Sequence, residues 1–316
     1  MSSVDCTENQ IIAGKEHKPA PARKWLYALG FLLSLICLYY FAQRTIAMRG
    51  ELELLSGDAL QRIFVATPFF FLSYLLASSV WHYLLNLLGA EVRLRTATSI
   101  FLVTQFGKYL PGNVGQHVGR VTVAKRYGIP MFPVLASMLM EMILVLSIMV
   151  FLSLPVIVQY IDTVLYWSVS GLIMIGLAGL GICIGSTRLR EKIDHAIKRL
   201  CLPNIGWHFV IPIFLALASI CMSGSAMLSL HPGFMARLDI GAYVVSVFCA
   251  AWVAGFVTPG APAGLGIREL ILSGGLSPVV GIEGATTVAI LLRAVTTLTD
   301  LLAFVIGLLL LPRARS

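Results

Sequence analysis

Charge is scarce in this chain. Asp, Glu, Lys and Arg together make up 12% of its 316 residues, while hydrophobic residues make up 58%. Mean hydropathy is +0.88. A soluble domain carries about 25% charge, so there is too little polar surface here to cover a globule in water. A bilayer is the solvent that suits most of the sequence. Paired cysteines are also lacking: Cys6, Cys37, Cys183, Cys201, Cys221 and Cys249 form no C-x-x-C, and four of them lie in apolar runs. That excludes a disulfide framework or zinc site and leaves small packing residues. The six histidines show no H-E-x-x-H or other metal spacing, and there is no Walker A sequence. No metal, no other cofactor and no direct use of ATP is therefore expected. No polar stretch is long enough for a second domain. No A-x-A-like site follows the first apolar run, so the first helix is expected to stay as an anchor rather than be cleaved.

What is present is apolar sequence in lengths that suit a membrane. Six segments are long enough to span, at approximately 25–42, 62–88, 131–158, 164–185, 207–230 and 285–311, each near the 20 residues that a bilayer core requires. Trp25, Trp81, Trp167 and Trp207 lie near segment ends, where an aromatic belt would place them. Two further apolar stretches, 97–128 and 242–282, are broken by Gly and Pro. Proline removes a ladder bond and glycine is poorly helical, so neither forms one regular helix. Backbone left unpaired must be buried in protein or line a wet cavity, which predicts two re-entrant pairs of half-helices. The expected fold is an all-α polytopic membrane protein, with about six spanning helices and two re-entrant hairpins. Residues 25–312 form the membrane domain, 1–24 a disordered tail and 313–316 a short second tail.

The net charge of +8 is carried by residues that flank apolar runs. This placement points to membrane topology and anionic headgroups rather than nucleic acid. Lys15, Lys18, Arg23 and Lys24, then Arg93 and Arg95, then Arg120, Lys125 and Arg126, then the 186–206 loop, and finally Arg313 and Arg315 all fall on one side of this layout. By the positive-inside rule that side, with both termini, is cytoplasmic. The two hairpins then enter from opposite faces. Each holds a Pro-Gly break, further glycines and a following arginine, which fits an inverted repeat or a short chance similarity. Residues 188–200 place Leu189, Ile193, Ala196, Ile197 and Leu200 on one face. This is either an interfacial helix or an ordinary connecting one.

The stretch Lys108-Tyr109-Leu110-Pro111-Gly112-Asn113-Val114-Gly115 and the stretch Pro262-Ala263-Gly264-Leu265-Gly266-Ile267-Arg268-Glu269 together resemble the transmembrane domain of the lysylphosphatidylglycerol synthase/flippase family, which includes the multiple peptide resistance factors. Ala263 stands where that pattern has glycine. The resemblance runs over roughly 20–312 and implies a lipid-translocating domain of the bacterial inner membrane. It does not imply the synthase, whose soluble domain would follow Ser316. Nor does it carry over a substrate.

Charges inside spans are costly and are functional candidates by default. Glu141 lies in the third span, as a possible coupling residue. Arg293 and Asp300 lie seven residues apart in the last, on one face and about 10 Å apart along the axis. Either these charges form a track in which Arg293 grips a phosphate while the acids meet a cation or carry protons, or they are ion pairs that tie helices together. The hairpins add Lys108, Asn113, Gln116, His117, Arg120, Arg268 and Glu269 as headgroup contacts, with Glu269 orienting Arg268. The backbone at Gly112, Gly115, Gly260, Gly264 and Gly266 either approaches phosphate or packs helices closely. The expected function is a lipid flippase or transporter, moving a phospholipid or lipid-linked headgroup through a polar cavity between the hairpins. It is not expected to be an enzyme. Its partners would be anionic or lipid-linked membrane lipids, with a homo-oligomer or a synthesis complex also open. Two rivals stand beside it: an intramembrane enzyme acting on a lipid-linked substrate, and a non-transporting partner of a lipid or glycan synthesis complex.

Overall fold

The computed structural model of the protein describes residues 39, 43, 57–109, 115–157, 210–258 and 261–312. Its helices are α1 (Gly57–Leu87), α2 (Leu94–Thr104), α3 (Gly115–Arg126), α4 (Met131–Ile157), α5 (Val210–Leu228), α6 (Leu238–Val257) and α7 (Ile267–Leu310). No strand occurs among the described residues. The spans expected at 25–42 (apart from residue 39) and 164–185, the 188–200 helix, Trp25, Trp167 and Trp207 lie outside them.

Five helices, α1, α4, α5, α6 and α7, are long and apolar enough to cross a membrane. Only 22–39% of the most apolar window of each is buried inside the protein. Phe64, Phe214 and Leu309 are 82%, 69% and 76% exposed. Helices that are apolar on every side, with their large side chains turned outward, need lipid as the outer solvent. Inside, serine hydroxyls donate back to their own helix, as Ser73 does to the Phe70 carbonyl and Ser153 to that of Val150, both at 2.7 Å. This satisfies a polar group where no water is available. Close approach relies on small residues. A Cβ on Gly307 of α7 would lie 2.8 Å from the backbone nitrogen of Val103 on α2.

The first broken stretch forms a pair of short helices. α2 and α3 have 11 and 12 residues, roughly 16–18 Å each at 1.5 Å per residue, too short for a core of about 30 Å. A 3-10 turn, Gln105–Tyr109, ends α2. It lies against the start of α3 so closely that a Cβ on Gly107 would come within 2.6 Å of the Gly115 carbonyl carbon and the Gln116 nitrogen.

The second broken stretch departs from the half-helix expectation in its first arm. α6 has 20 residues and is long enough to cross. Its helix begins at Leu238, ahead of the expected boundary, and nothing in 242–257 interrupts it. The break is confined to the region between Thr258 and Gly266. α7 then runs on through Gly281, whose φ of 72° and ψ of 170° divide it into 267–280 and 282–310. Only glycine holds that conformation without strain, and Gly281 therefore marks where the second arm meets the last apolar helix.

A charged cavity at the middle of the long helices

Four long helices contribute their central residues to one cavity of about 190 Å³. Ser73 and Tyr74 come from α1, Glu141 and Met142 from α4, Ser219 and Ile220 from α5, and Phe248 and Trp252 from α6. Both broken stretches also reach it. Lys108, Gln116, His117 and Arg120 come from the first, and Ala263 and Arg268 from the second. The break regions thus deliver cations to the centre of an otherwise apolar bundle.

Three ion pairs, buried or half-buried, surround this space. Asp300 on α7 is fully buried and receives three donors: Lys108 Nζ at 2.7 Å, the Tyr74 hydroxyl at 2.7 Å and the Tyr109 hydroxyl at 2.6 Å. Lys108 also donates to the Tyr74 oxygen at 2.9 Å. This network ties the 3-10 turn to α1 and α7, and it leaves neither carboxylate oxygen without a partner, the condition for a tolerable buried charge. Arg120 on α3 donates to Glu141 on α4 at 2.6 Å. Its guanidinium lies between the rings of Phe101 and Trp81, with Cζ at 4.4 and 4.9 Å from their centroids, as a weakly hydrated planar cation prefers. The third pair is looser. Arg293 Nη1 is 3.7 Å from Glu269 and 3.4 Å from the Ala263 carbonyl.

Arg268 is different. Its Nε is buried without a hydrogen-bond partner, and no carboxylate pairs with it among the described residues. Its Cζ lies 5.5 Å from the Trp252 ring. Two glycines make room for its stem: a Cβ on Gly255 would be 2.7 Å from Arg268 Cγ and Nε, and one on Gly264 would be 2.6 Å from Nε. Gly264 also has φ +69°, so it is favoured there on conformational as well as steric grounds.

The sequence candidates therefore divide. Lys108, Gln116, His117, Arg120, Glu141 and Arg268 line the cavity together. Arg293 and Asp300 share α7 and one neighbour, Tyr109, which bonds Asp300 through its hydroxyl while its ring sits 5.7 Å from Arg293 Cζ. Glu269, expected to orient Arg268, makes its hydrogen bond and ion pair to Gly266 and Arg293. One of its oxygens accepts the Gly266 N–H at 2.8 Å, capping α7, and the other faces Arg293. The N–H groups of Gly264 and Gly266 are used within the protein, by the Ala261 carbonyl at 3.1 Å and by Glu269. They are therefore not open to phosphate, because each amide has one proton to give. Gly115 opens α3 against Gly107. Gly112, Asn113 and Gly260 lie outside the described residues. Trp81 is fully buried and donates to the Ser137 hydroxyl at 3.0 Å, so it is a core residue beneath Arg120 rather than part of an interfacial belt.

Tyr74, Phe101 and Trp252 are the functional neighbours that sequence reasoning missed. A phenol midway along the apolar 62–88 run was the available signal for Tyr74. Phe101 and Trp252 carry none that separates them from ordinary apolar residues.

The bundle and its central charges define a multi-pass helical membrane protein with a cavity among its long helices that is lined by charged residues. Residues 27–303 match the lysylphosphatidylglycerol synthase TM region, and the chain belongs to that family. No curated protein and no solved structure matches it.

Proposed function

We propose that the protein translocates a phospholipid or lipid-linked headgroup across the membrane. The observation that carries this reading is the cavity itself: cations from both broken stretches meet at the middle of four long helices, beside walls as apolar as Met142, Ile220 and Phe248. A headgroup needs polar company at that depth, where charge without partners is costly. Acyl chains do not, and they stay with lipid. Membership of a family named for a lipid's synthesis supports a lipid role. Short or broken helices that bring charged groups to the midplane are the usual architecture of a transporter site. The end at which Arg93, Arg95, Lys125 and Arg126 gather is assigned to the cytoplasm by the positive-inside rule. The Tyr127 hydroxyl, at that end, donates to the Pro312 carbonyl at 2.5 Å, so the end of α7 belongs to the same face. The α2–α3 pair is then read as entering from that face.

Acid–base catalysis finds less support. His117 contacts Gln116 at 3.2 Å, and no carboxylate bonds it among the described residues.

The test is translocation in liposomes containing only this protein. A fluorescent phospholipid is placed in both leaflets and an impermeant quencher is added outside. Wild-type protein is expected to expose the inner-leaflet label, and Arg268→Ala to fail. Loss of only the outer half of the signal with wild-type protein, across a panel of anionic, zwitterionic and lipid-linked probes, would defeat the proposal.

A further inference from the structure

Among the described residues the charges around the cavity do not balance. Lys108, Arg120, Arg268 and Arg293 are the cations, and Asp300, Glu141 and Glu269 are the acids. Each acid already has a cation: Asp300 has Lys108 at 2.7 Å, Glu141 has Arg120 at 2.6 Å and Glu269 has Arg293 at 3.7 Å. Arg268 is left over. Among the described residues, three buried side-chain polar atoms have no hydrogen-bond partner: Arg268 Nε, Arg120 Nε and the Thr299 hydroxyl. The first two belong to residues that line this cavity, and Arg120 is 4% exposed. A guanidinium offers its Nε and Nη protons together as a fork for two oxygens of one oxyanion. Both arginines line the same cavity, and in each the Nε proton is left without a partner.

We infer that the cavity receives a headgroup bearing one net negative charge, a phosphodiester with no ammonium attached, whose charge completes Arg268 and whose second oxygen reaches Arg120. This rests on the lipid reading above and narrows it to a charge class. One anionic charge cancels the cation that has no counterion among the described residues. A phosphomonoester dianion brings a second charge that could be met only by breaking an existing pair. A headgroup ammonium is excluded by the same count, because Asp300, Glu141 and Glu269 are engaged and the ammonium would enter beside Arg268 and Lys108 as a like charge. The apolar walls supply the remaining requirement, since Met138, Met142, Met149 and Ile220 suit the glycerol and first methylenes of a lipid and nothing more polar.

Binding tests this without asking for transport. The full chain in a neutral sugar detergent is titrated with dioleoyl phosphatidylethanol, a lipid phosphodiester of one charge, and affinity is read from the shift in thermal unfolding. Phosphatidylcholine, the same diester with an ammonium, and phosphatidic acid at pH 9, a dianion, are the comparison lipids, with phosphatidylethanol repeated at pH 9. The expected result is that phosphatidylethanol binds at least about tenfold more tightly than either, the scale of a like-charge or unmatched-charge penalty. Arg268→Gln should erase the ranking and Arg268→Lys should keep most of it. Equal affinity for the three lipids in wild-type protein overturns the inference, and that comparison needs no variant to fold. Persistence of the ranking in folded Arg268→Gln overturns the assignment to Arg268. Dimethyl phosphate that stabilises as well as phosphatidylethanol overturns a lipid as the source of the diester. A protein that ranks the lipids as expected but fails in liposomes defeats the transport reading alone; one that translocates without ranking them defeats the charge inference alone.

Discussion

Gly264 and Arg268 compete for one volume: a Cβ at position 264 would lie 2.6 Å from the arginine Nε. Gly255, on the preceding helix, leaves the same side chain its room, since a Cβ there would lie 2.7 Å from Arg268 Cγ and Nε. The guanidinium that has no counterion among the described residues is therefore held in place by two missing side chains. Its position is a property of the backbone on both sides of the break, and it can be disturbed without touching any charge.

Gly255→Ala tests that directly. Position 255 lies within α6, where alanine is favoured over glycine by about 1 kcal/mol, so the helix itself gains. The new methyl meets the Arg268 side chain, which must move. The variant is expected to unfold at or above the wild-type temperature while losing anion binding and translocation as fully as Arg268→Gln does. Unchanged lipid binding in Gly255→Ala would show that Arg268 need not sit where it does.

Asp300→Asn removes the charge that holds Lys108, with Tyr74 and Tyr109 as further donors. Breaking a buried pair from one side costs about 3–5 kcal/mol, because the remaining charge is left without compensation. The single variant should lose stability by about that amount in thermal unfolding. Lys108→Met combined with Asp300→Asn should recover most of it. A double variant as unstable as the sum of the singles would mean that the two residues act separately.

The breaks were legible in the sequence because Pro and Gly state backbone limits locally. Lys108, Arg120 and Arg268 were legible as charges beside those breaks. Pairing was not, because Lys108 and Asp300 are separated by 192 residues, and hydropathy carries no information on which distant helix faces which. The same limit explains Trp81: its place near the end of an apolar run fits an interfacial belt, while the helix α4 that buries it and accepts its N–H through Ser137 is fixed by packing. The length of α6 was misjudged for a different reason. A window drawn around Pro259 extends the disturbance in both directions, whereas proline disrupts only its own turn and the residue before it.

Ala263 adopts φ 50° and ψ 23°, the left-handed region, at a position where the resembling pattern has glycine. For an L-residue this costs roughly 1–2 kcal/mol. Glycine would remove that strain and return about 0.4–1 kcal/mol of it through the freer unfolded chain. Ala263→Gly is therefore expected to raise the unfolding temperature slightly and to leave lipid preference unchanged. A fall in that temperature would mean that packing of the buried methyl outweighs its backbone strain.

Glu141→Gln changes the charge count without moving Arg268. The carboxylate is the counterion of Arg120 at 2.6 Å, and glutamine keeps a hydrogen-bond acceptor of nearly the same shape. Arg120 then joins Arg268 as a second cation without a matching acid, both lining the same cavity. A site that favoured one negative charge should now favour two. In the titration at pH 9, phosphatidic acid is expected to gain on phosphatidylethanol by more than the wild-type margin of about tenfold, that is by more than about 1.4 kcal/mol. Stability should fall in the absence of lipid, since a buried cation has lost its partner, and the dianionic lipid should restore it more completely than the monoanionic one. This reversal separates charge matching from shape, because the cavity walls and the guanidinium of Arg268 are unchanged. If Glu141→Gln folds and still prefers phosphatidylethanol by the wild-type margin, Arg120 does not present its charge to the ligand. The preference would then belong to Arg268 and its two glycines alone.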